Sequence, residues 1–120
     1  MTKNMHYSLY KTIPKDNPRQ ELWKNQRRFR GFDDTELWNL DFTIARFVAP
    51  RLKAFKEILH GYPPSLTFEE WKATLDKMIL AFDLLTDENE NFPESTENTK
   101  RETIEEGLDL FREYFFHLWD

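Results

Sequence analysis

Apolar residues return every three or four positions through the middle of the chain, and charged residues fill the positions between them. Over residues 33–60 this is the period of one face of an α-helix. Asp33 and Glu36 have capping-box spacing at its start, and the turn residues at positions 61–65 end it. We therefore predict a first helix over residues 33–60, kinked near Pro50 because proline removes a backbone hydrogen bond. Its wide apolar arc predicts burial on more than one side.

Two shorter amphipathic helices follow. Thr67 and Glu70 form a second capping-box pattern, and the apolar stripe after them has the clearest helical period in the chain. Residues 86–100 are polar and acidic, which is typical of a surface loop. The third predicted helix begins at residue 94 or 99 and runs to the C-terminus. The residues predicted to face inward are Trp71, Leu75, Met78, Phe82 and Leu85 of the second helix and Ile104, Leu108, Phe111, Phe115 and Leu118 of the third.

The first 30 residues show no sustained period, and they combine two prolines with scattered aromatic side chains. This pattern predicts an irregular arm with a short helix over residues 20–28. We therefore divide the chain into a basic, aromatic N-terminal arm over residues 1–30 and a helical domain over residues 31–120. The predicted fold class is all-α: a small three-helix bundle with an irregular N-terminal arm and a kinked central first helix.

Charge is distributed unevenly along the chain. Residues 1–30 contain eight lysines and arginines against two acidic residues, whereas residues 83–113 contain eleven acidic residues against three lysines and arginines. The basic arm could pair with the acidic part of its own chain or with an acidic partner. The net charge of −5 and the lack of a nucleic-acid-binding module argue against DNA or RNA as the partner. The acidic surface has a second interpretation, which is imitation of the phosphate charge of DNA.

Asp41 stands in the centre of the apolar arc of the predicted first helix. A buried carboxylate needs a cation or hydrogen-bond donors, because an unpaired buried charge is strongly destabilising. One interpretation is a structural aspartate that binds an arginine of the arm, namely Arg27, Arg28 or Arg30. The other is a ligand-binding or catalytic role.

Further candidate binding residues lie near Asp41 in the sequence or near the predicted kink. Arg51 is close to the kink, where its guanidinium could bind a phosphate or a carboxylate. Trp38 and Phe42 could form an aromatic wall on which a nucleotide base stacks. Core packing for the two rings and contact with solvent for Arg51 are the alternatives. The predicted ligand- or partner-binding set is Arg30, Trp38, Asp41, Phe42, Arg51 and Tyr62.

Leu80 and Leu84 lie on the acidic side of the predicted second helix rather than on its apolar stripe. Aliphatic residues exposed on a charged helix indicate contact with another surface. We predict that the N-terminal arm or a second subunit covers them. Both leucines are therefore candidate interface residues, and a homo-oligomer is an open alternative.

No constellation of catalytic or metal-binding residues stands out. The chain has no cysteine, its three histidines, His6, His60 and His117, are far apart, and it has no glycine-rich phosphate loop or serine elbow. Carboxylates of the last two helices fall opposite the apolar stripes, so we predict solvated acidic faces. We predict no catalytic residue, no metal and no cofactor, and this favours a non-enzymatic protein. The residues of these faces are Glu69, Asp76, Asp83, Glu102, Glu105, Glu106, Asp109 and Glu113.

Seven short motifs are distributed over residues 29–120. They are Arg30-Gly31-Phe32, Trp38-Asn39-Leu40-Asp41, Pro50-Arg51-Leu52-Lys53, Gly61-Tyr62-Pro63, Glu69-Glu70-Trp71, Leu75-Asp76-Lys77-Met78-Ile79 and Leu118-Trp119-Asp120. As a set they resemble a group of small all-helical proteins encoded by tailed bacteriophages. The resemblance implies phage origin and a place in the cytoplasm of the bacterial host cell, and it assigns no catalytic residue. The sequence also has no run of about 20 apolar residues, so no membrane association is expected.

Three functional hypotheses follow. We expect a non-enzymatic phage accessory protein that binds and redirects or inhibits a host protein, either a defence component or a nucleic-acid-processing one. The alternative is a small-molecule binder that sequesters a nucleotide or cyclic-nucleotide signal. It would use Arg30, Arg51 and the wall of Trp38 and Phe42 around Asp41. The third is a metal-dependent all-α nucleotide hydrolase, which requires carboxylates that face into a cleft.

Overall fold

A computed structural model describes residues 15–86 and 97–119 of the chain. Within these ranges the regular structure is entirely helical, which confirms the predicted all-α class. None of the helices there is long and apolar enough to cross a membrane. The arm before Lys15, with His6, the stretch over residues 87–96 and Asp120 lie outside the described residues. The elements are α1 (Gln20–Arg30), α2 (Thr35–Trp38), α3 (Leu40–Glu57), α4 (Phe68–Thr86), α5 (Glu97–Glu113) and a 3₁₀ turn (Phe115–His117).

The backbone divides into two compact units, and the boundary between Phe47 and Val48 falls inside α3. The first unit contains α1, α2 and the start of α3. The second contains the rest of α3, α4, α5 and the 3₁₀ turn. The boundary at residue 30 between a basic arm and a helical domain, which the sequence suggests, stays a prediction.

Helix α1 confirms the short helix predicted near residues 20–28 and continues it to Arg30. Glu21 is in its first turn and three arginines are near its end, an arrangement that complements the helix dipole. The helix stops at Gly31, whose φ of 88° is left-handed and whose N–H donates to the Arg27 carbonyl oxygen at 3.0 Å. Glycine adopts this conformation without the steric cost that a Cβ would add.

The predicted first helix is in fact two helices, because the backbone leaves the helical conformation at Asn39, with φ −131° and ψ 76°. The helical phase is therefore not continuous across residues 33–60, and a single apolar arc cannot be drawn through them. Leu37, Leu40 and Ile44 are half exposed, so the expected burial on more than one side is wrong for these residues. Pro50 lies inside α3, and the kink there stays a prediction.

Helix α4 begins with the predicted capping box. The Thr67 N–H donates to Glu70 Oε1 at 2.8 Å, and the Glu70 N–H donates to Thr67 Oγ1 at 3.1 Å. The apolar stripe that follows is also confirmed, with Trp71, Leu75, Met78 and Phe82 all buried. The hydrophobic period alone was enough to predict this helix and its buried face.

Helices α4 and α5 pack closely against each other. A Cβ added at Gly107 would lie 2.6 Å from the Lys77 carbonyl oxygen and would collide with Ala81, so the two backbones approach each other here. Phe111 packs edge to face on Phe82, with ring centroids 5.0 Å apart. On α5, only a residue without a side chain fits at position 107.

The second half of α3 is joined to α4 by two ion pairs. Lys56 Nζ lies 2.7 Å from Asp76 Oδ1, and Lys53 Nζ lies 3.1 Å from Asp83 Oδ2. The pairing order shows that the two helices run antiparallel. All four side chains are at least partly exposed, so each pair stabilises the fold by at most about 1 kcal/mol.

Candidate functional site

The first unit is built around a buried polar cluster. Asp33 is fully buried, and its Oδ2 accepts a hydrogen bond from Arg27 Nη1 at 2.6 Å. Its Oδ1 accepts from the backbone N–H of Thr35 at 2.9 Å and from the Thr35 hydroxyl. Glu36 Oε2 accepts from the Asp33 N–H at 2.9 Å, which completes the predicted capping-box contact. Burial raises the pKa of the Glu36 carboxyl group.

Asp34 also stabilises the turn between α1 and α2, through contacts with Gln26 and Arg30 of α1. Gln26 and Asp34 exchange two hydrogen bonds, from Gln26 Nε2 to Asp34 Oδ2 at 3.0 Å and from the Asp34 N–H to Gln26 Oε1 at 2.9 Å. Arg30 Nη2 lies 2.6 Å from Asp34 Oδ1, and its guanidinium lies 4.4 Å from the Phe32 ring centroid. The bonds from Gln26 and Arg30 lower the pKa of Asp34. These contacts give Arg30 a structural partner, and its role in ligand binding stays a prediction.

Asp41 is exposed, so the expectation that it is buried is wrong. It lies in the first turn of α3, and its Oδ1 accepts from the N–H of Phe42 at 2.8 Å. A carboxylate in this position interacts favourably with the positive end of the helix dipole. The aspartates that bind arginines of residues 1–30 are Asp33 and Asp34, and the sequence signal for Asp33 was its capping-box spacing to Glu36.

Trp38 and Phe42 contact different partners. Trp38 is half exposed and packs edge to face on the buried Trp23, with ring centroids 5.9 Å apart. The Arg46 guanidinium lies 4.5 Å from the centroid of the Phe42 ring. Arg51 is exposed on α3. The aromatic wall for a nucleotide base stays a prediction.

Three large apolar residues share one exposed side of α3. Leu40, Ile44 and Phe47 follow each other at i, i+4 and i+7, and they are 50%, 49% and 43% exposed. We call these three residues the α3 apolar face. Leu37 and Trp38 precede it on α2 and are half exposed as well. The sequence pattern predicted burial for Leu37, Leu40, Ile44 and Phe47, and it placed Trp38 in the candidate binding set with core packing as the alternative.

The second unit contains an open groove of about 570 Å³, which we call the aromatic groove. Trp71 is 1% exposed and forms part of its floor, while Tyr62 and Trp119 are 54% and 75% exposed. Tyr62 belongs to the predicted binding set, whereas Trp71 was predicted to face inward. The described lining residues are His60, Gly61, Tyr62, Pro63, Pro64, Trp71, His117 and Trp119.

Ring contacts hold the aromatic groove in place. The Tyr62 ring lies 5.9 Å from the ring of Phe68, at the start of α4. Trp71 packs on Tyr114 at 5.5 Å, and Tyr114 lies 6.0 Å from His117. The fold thus brings the segments before α4 and after α5 to one place. Spacing along the chain contains no signal for this arrangement.

The two candidate interface leucines differ. Leu84 is buried within the chain, and its role in an interface stays a prediction. It lies one turn after the fully buried Ala81, and the buried side of α4 is therefore wider than its apolar stripe. Leu80 is half exposed, and its role in an interface stays a prediction.

The acidic residues of α5 from Glu102 onwards are exposed, as predicted. Glu106 pairs with Lys77 at 3.0 Å, and Glu105 pairs with Arg101 at 3.3 Å. Across residues 15–86 and 97–119, no group of three histidine or acidic side chains is placed to hold a metal ion. The α5 carboxylates that the hydrolase hypothesis needs in a cleft therefore lie in solvent. The exposed set is Glu102, Glu105, Glu106, Asp109 and Glu113.

Similarity to known proteins leaves the function open. The resemblance to phage proteins stays an expectation. Comparisons with protein-family models, with curated proteins and with solved structures give no significant match to this chain.

Proposed function

We propose that this protein is a non-enzymatic phage accessory protein that binds a host protein through the α3 apolar face and the adjoining Leu37 and Trp38. One observation carries the proposal: the first unit buries polar side chains while it leaves large apolar ones half exposed. Asp33, Thr35, Glu36 and Thr43 are buried there, and the apolar face is exposed. Clusters of exposed apolar side chains of this kind are typical of interaction surfaces.

The spacing of the α3 apolar face fits recognition by a groove on the partner. An amphipathic helix that binds such a groove presents anchors at i, i+4 and i+7. Each of the three residues is about half exposed, so completing its burial contributes roughly 1 kcal/mol. Trp38 adds an aromatic side chain of the type that dominates binding energy at interfaces. Together these residues can supply the central part of a specific interface.

The polar cluster supports this surface by positioning α2 relative to α3. Glu36 accepts a hydrogen bond from the Asp33 N–H, and the Glu36 carbonyl oxygen accepts one from Thr43 Oγ1 of α3 at 2.8 Å. A fully satisfied buried network restricts the geometry of the elements that it joins. The apolar face is therefore presented in one orientation, which lowers the entropy cost of binding. That the partner is a defence or nucleic-acid-processing protein follows from the phage resemblance.

The test is affinity capture from bacterial lysate with the full chain and two matched variants. Ile44→Asp places a charge in the proposed surface, and Leu80→Asp places the same charge on α4. The two sites match in exposure, because the wild-type side chains of Ile44 and Leu80 are 49% and 47% exposed. We expect the wild-type chain and Leu80→Asp to retain one stoichiometric partner and Ile44→Asp to lose it. Calorimetry with the purified partner then measures the loss of affinity directly.

Circular dichroism melts of all three chains provide the control for folding, because substitution at half-exposed sites changes stability only slightly. Capture of no partner, or equal capture by all three chains, contradicts the proposal. Loss of the partner with Leu80→Asp alone places the interface on α4 instead.

The nucleotide-binding alternative receives less support from the same residues. The Arg30 guanidinium is bound by Asp34 and Phe32, and Asp41 faces solvent at the start of α3. Calorimetry against a panel of mononucleotides and cyclic dinucleotides tests it. Heat of binding that Ile44→Asp leaves unchanged would favour this alternative over the protein partner.

A further inference from the structure

Three charged residues share one exposed side of α1. Glu21, Lys24 and Arg28 follow each other at i, i+3 and i+7, and all three are exposed. At 100° per residue they lie within a sector of roughly 60°, away from the buried Trp23. We call these residues the α1 triplet. In chain order its charges are negative, positive and positive.

Helix α5 has a triplet of the opposite charges in the reverse order. Glu105, Asp109 and Arg112 are exposed and follow each other at i, i+4 and i+7, so they also lie within a sector of roughly 60°. We call these residues the α5 triplet. From the C-terminal end of the helix its charges are positive, negative and negative.

Most of these charges have no partner in the part of the chain that the structure describes. Glu105 pairs with Arg101 at 3.3 Å, and both side chains are largely exposed, so this pair is easily exchanged. The other five members of the two triplets form no ion pair with residues 15–86 or 97–119. In contrast, Arg27 and Arg30, on other sides of α1, are bound by aspartates. The two triplets therefore have charge available for an external partner.

An antiparallel arrangement of the two helices places opposite charges against each other at all three positions, because both triplets then have successive spacings of three and four residues. The pairs are Glu21 with Arg112, Lys24 with Asp109, and Arg28 with Glu105. A parallel arrangement would instead place like charges together at both ends of the triplets, which is unfavourable. Pairing α1 with α1, or α5 with α5, would bring the like charges at the centre of the triplets together. The match is therefore specific to α1 with α5 in one orientation.

We propose that two copies of this chain associate through the α1 triplet of one copy and the α5 triplet of the other, with the two helices antiparallel. A second copy is the partner because the same sequence supplies both halves of the match. Complementary charges of this kind determine orientation and partner choice more than affinity. Exposed ion pairs are weak and are screened by salt, so the association is weak and salt-sensitive.

This contact is separate from the proposed function. The two triplets share no residue with the α3 apolar face, and self-association is measured with the purified chain alone. The two proposals can therefore fail independently.

Sedimentation equilibrium of the full chain at millimolar concentration tests the proposal. Ionic strength is varied from about 0.01 M to about 1 M, over which the Debye length falls from about 30 Å to about 3 Å. We expect association at low salt and a monomer at high salt. A chain that is monomeric at low salt would overturn the proposal.

Charge reversal identifies the helices involved. Lys24→Glu with Arg28→Glu reverses the α1 triplet, and Glu105→Lys with Asp109→Lys reverses the α5 triplet. Each variant alone should lower the association constant at low salt at least about tenfold, because like charges then face each other. An equimolar mixture of the two variants should recover the association of the wild-type chain, since every triplet then has an oppositely charged partner. A mixture as weak as the separate variants would contradict the proposed pairing.

Glu57→Lys with Glu69→Lys is the matched control for the reversed α5 triplet. Both glutamates are exposed, and Glu69 forms an exposed ion pair with Lys72, as Glu105 does with Arg101. Each of the two double substitutions reduces the net charge of −5 by the same amount. General repulsion between copies therefore falls equally in both, and only the α5 variant should associate more weakly than the wild-type chain. Equal association of the two variants would overturn the proposal.

Circular dichroism melts of every variant provide the control for folding, because substitution at exposed sites changes stability only slightly. If a reversed chain does not fold, Lys24→Gln with Arg28→Gln removes the same charges without adding repulsion. It should also weaken association, and unchanged association would contradict a role for the α1 triplet.

Discussion

The two units of this chain differ in the kinds of side chain that they bury. The second unit buries an apolar stripe on α4, including Trp71, Leu75 and Met78, and keeps the acidic side chains of α5 from Glu102 onwards exposed. The first unit buries Asp33 and Glu36 as well as Trp23, while the α3 apolar face and Leu37 and Trp38 of α2 are half exposed. The second unit therefore follows the usual relation between hydrophobicity and burial. The first departs from it, and such departures are where binding surfaces are found.

The energetic basis of the two units differs accordingly. Each large apolar side chain buried in the second unit contributes about 1.5–3 kcal/mol to stability. A neutral hydrogen bond in the first unit contributes a net of about 1 kcal/mol to stability. The attraction within the ion pair of Arg27 and the buried Asp33 must also offset the cost of removing the charges from water. The second unit should therefore tolerate loss of single polar contacts, whereas the first should depend on them.

The largest expected effect is on the first unit. Asp33→Ala removes the acceptor for Arg27 and for Thr35, and it leaves a partly buried guanidinium without its carboxylate. We expect the free energy of unfolding to fall by about 3 kcal/mol, since breaking a buried pair costs about 3–5 kcal/mol and Arg27 retains some solvent contact. Urea denaturation measures this difference.

Asp41→Ala is the matched control for Asp33→Ala. Asp41 is an exposed aspartate of the same unit, and its removal should cost less than about 1 kcal/mol, the size of a helix-dipole interaction. Equal effects of the two substitutions would show that the buried polar cluster does not hold the first unit together.

The second prediction tests the close contact of α4 and α5 in the second unit. Gly107→Ala should lower the free energy of unfolding by about 1–3 kcal/mol, because the added methyl group collides with Ala81 and with the Lys77 carbonyl oxygen. Gly61→Ala is the control, since a Cβ there meets nothing within 4 Å. The double substitution Gly107→Ala with Ala81→Gly should recover part of the loss. A Gly107→Ala chain as stable as the Gly61→Ala chain would contradict the close packing.

The third and smallest effect is a pH dependence within the first unit. Burial raises the pKa of Glu36 above its ordinary value of 4.5, so the folded state binds a proton more tightly than the unfolded state does. The stability contributed by this group is present at low pH and is lost as pH rises through the pKa of the folded state. Glu36→Gln, which imitates the protonated form, should therefore be more stable than the wild-type chain at pH 7.

The difference between the two chains should shrink as pH falls from the raised pKa of the folded state towards 4.5, the ordinary pKa of Glu36, and should be absent below 4.5. Thermal melts from pH 4 to pH 7 measure it. Asp34, whose pKa is lowered, contributes in the opposite direction in both chains and cancels in the comparison. A Glu36→Gln chain that is less stable at pH 7 would mean that the ionised carboxylate is the form that the cluster requires.

Local pattern predicted the parts of the fold that depend on local interactions. The capping box at Thr67 and Glu70 and the stripe from Trp71 to Phe82 were readable because caps and helical faces involve residues within a few positions of each other. The break at Asn39 was not, because no proline or glycine marks it. Placing Asp41 in the core was a direct consequence of that missed break.

Candidate sites were predicted only in part, for the same reason. Tyr62 was identified, but His60, Trp71, His117 and Trp119 meet it only through the packing of α4 with the segment after α5. The apolar residues of α3 were identified as well. They were predicted to be buried, whereas the three residues of the α3 apolar face are half exposed. Burial depends on what covers a residue, and hydrophobicity does not reveal that.

The sequence by itself determined that this chain is helical, where α1 and α4 lie, and which side of α4 is buried. These features follow from interactions between residues within about one or two helical turns. Only the tertiary structure decided that Asp33 rather than Asp41 is the buried aspartate, that the α3 apolar face is exposed, and that an aromatic groove exists. Each of these depends on contacts between segments that are distant in sequence or separated by a change in helical phase, and a linear pattern does not record such contacts.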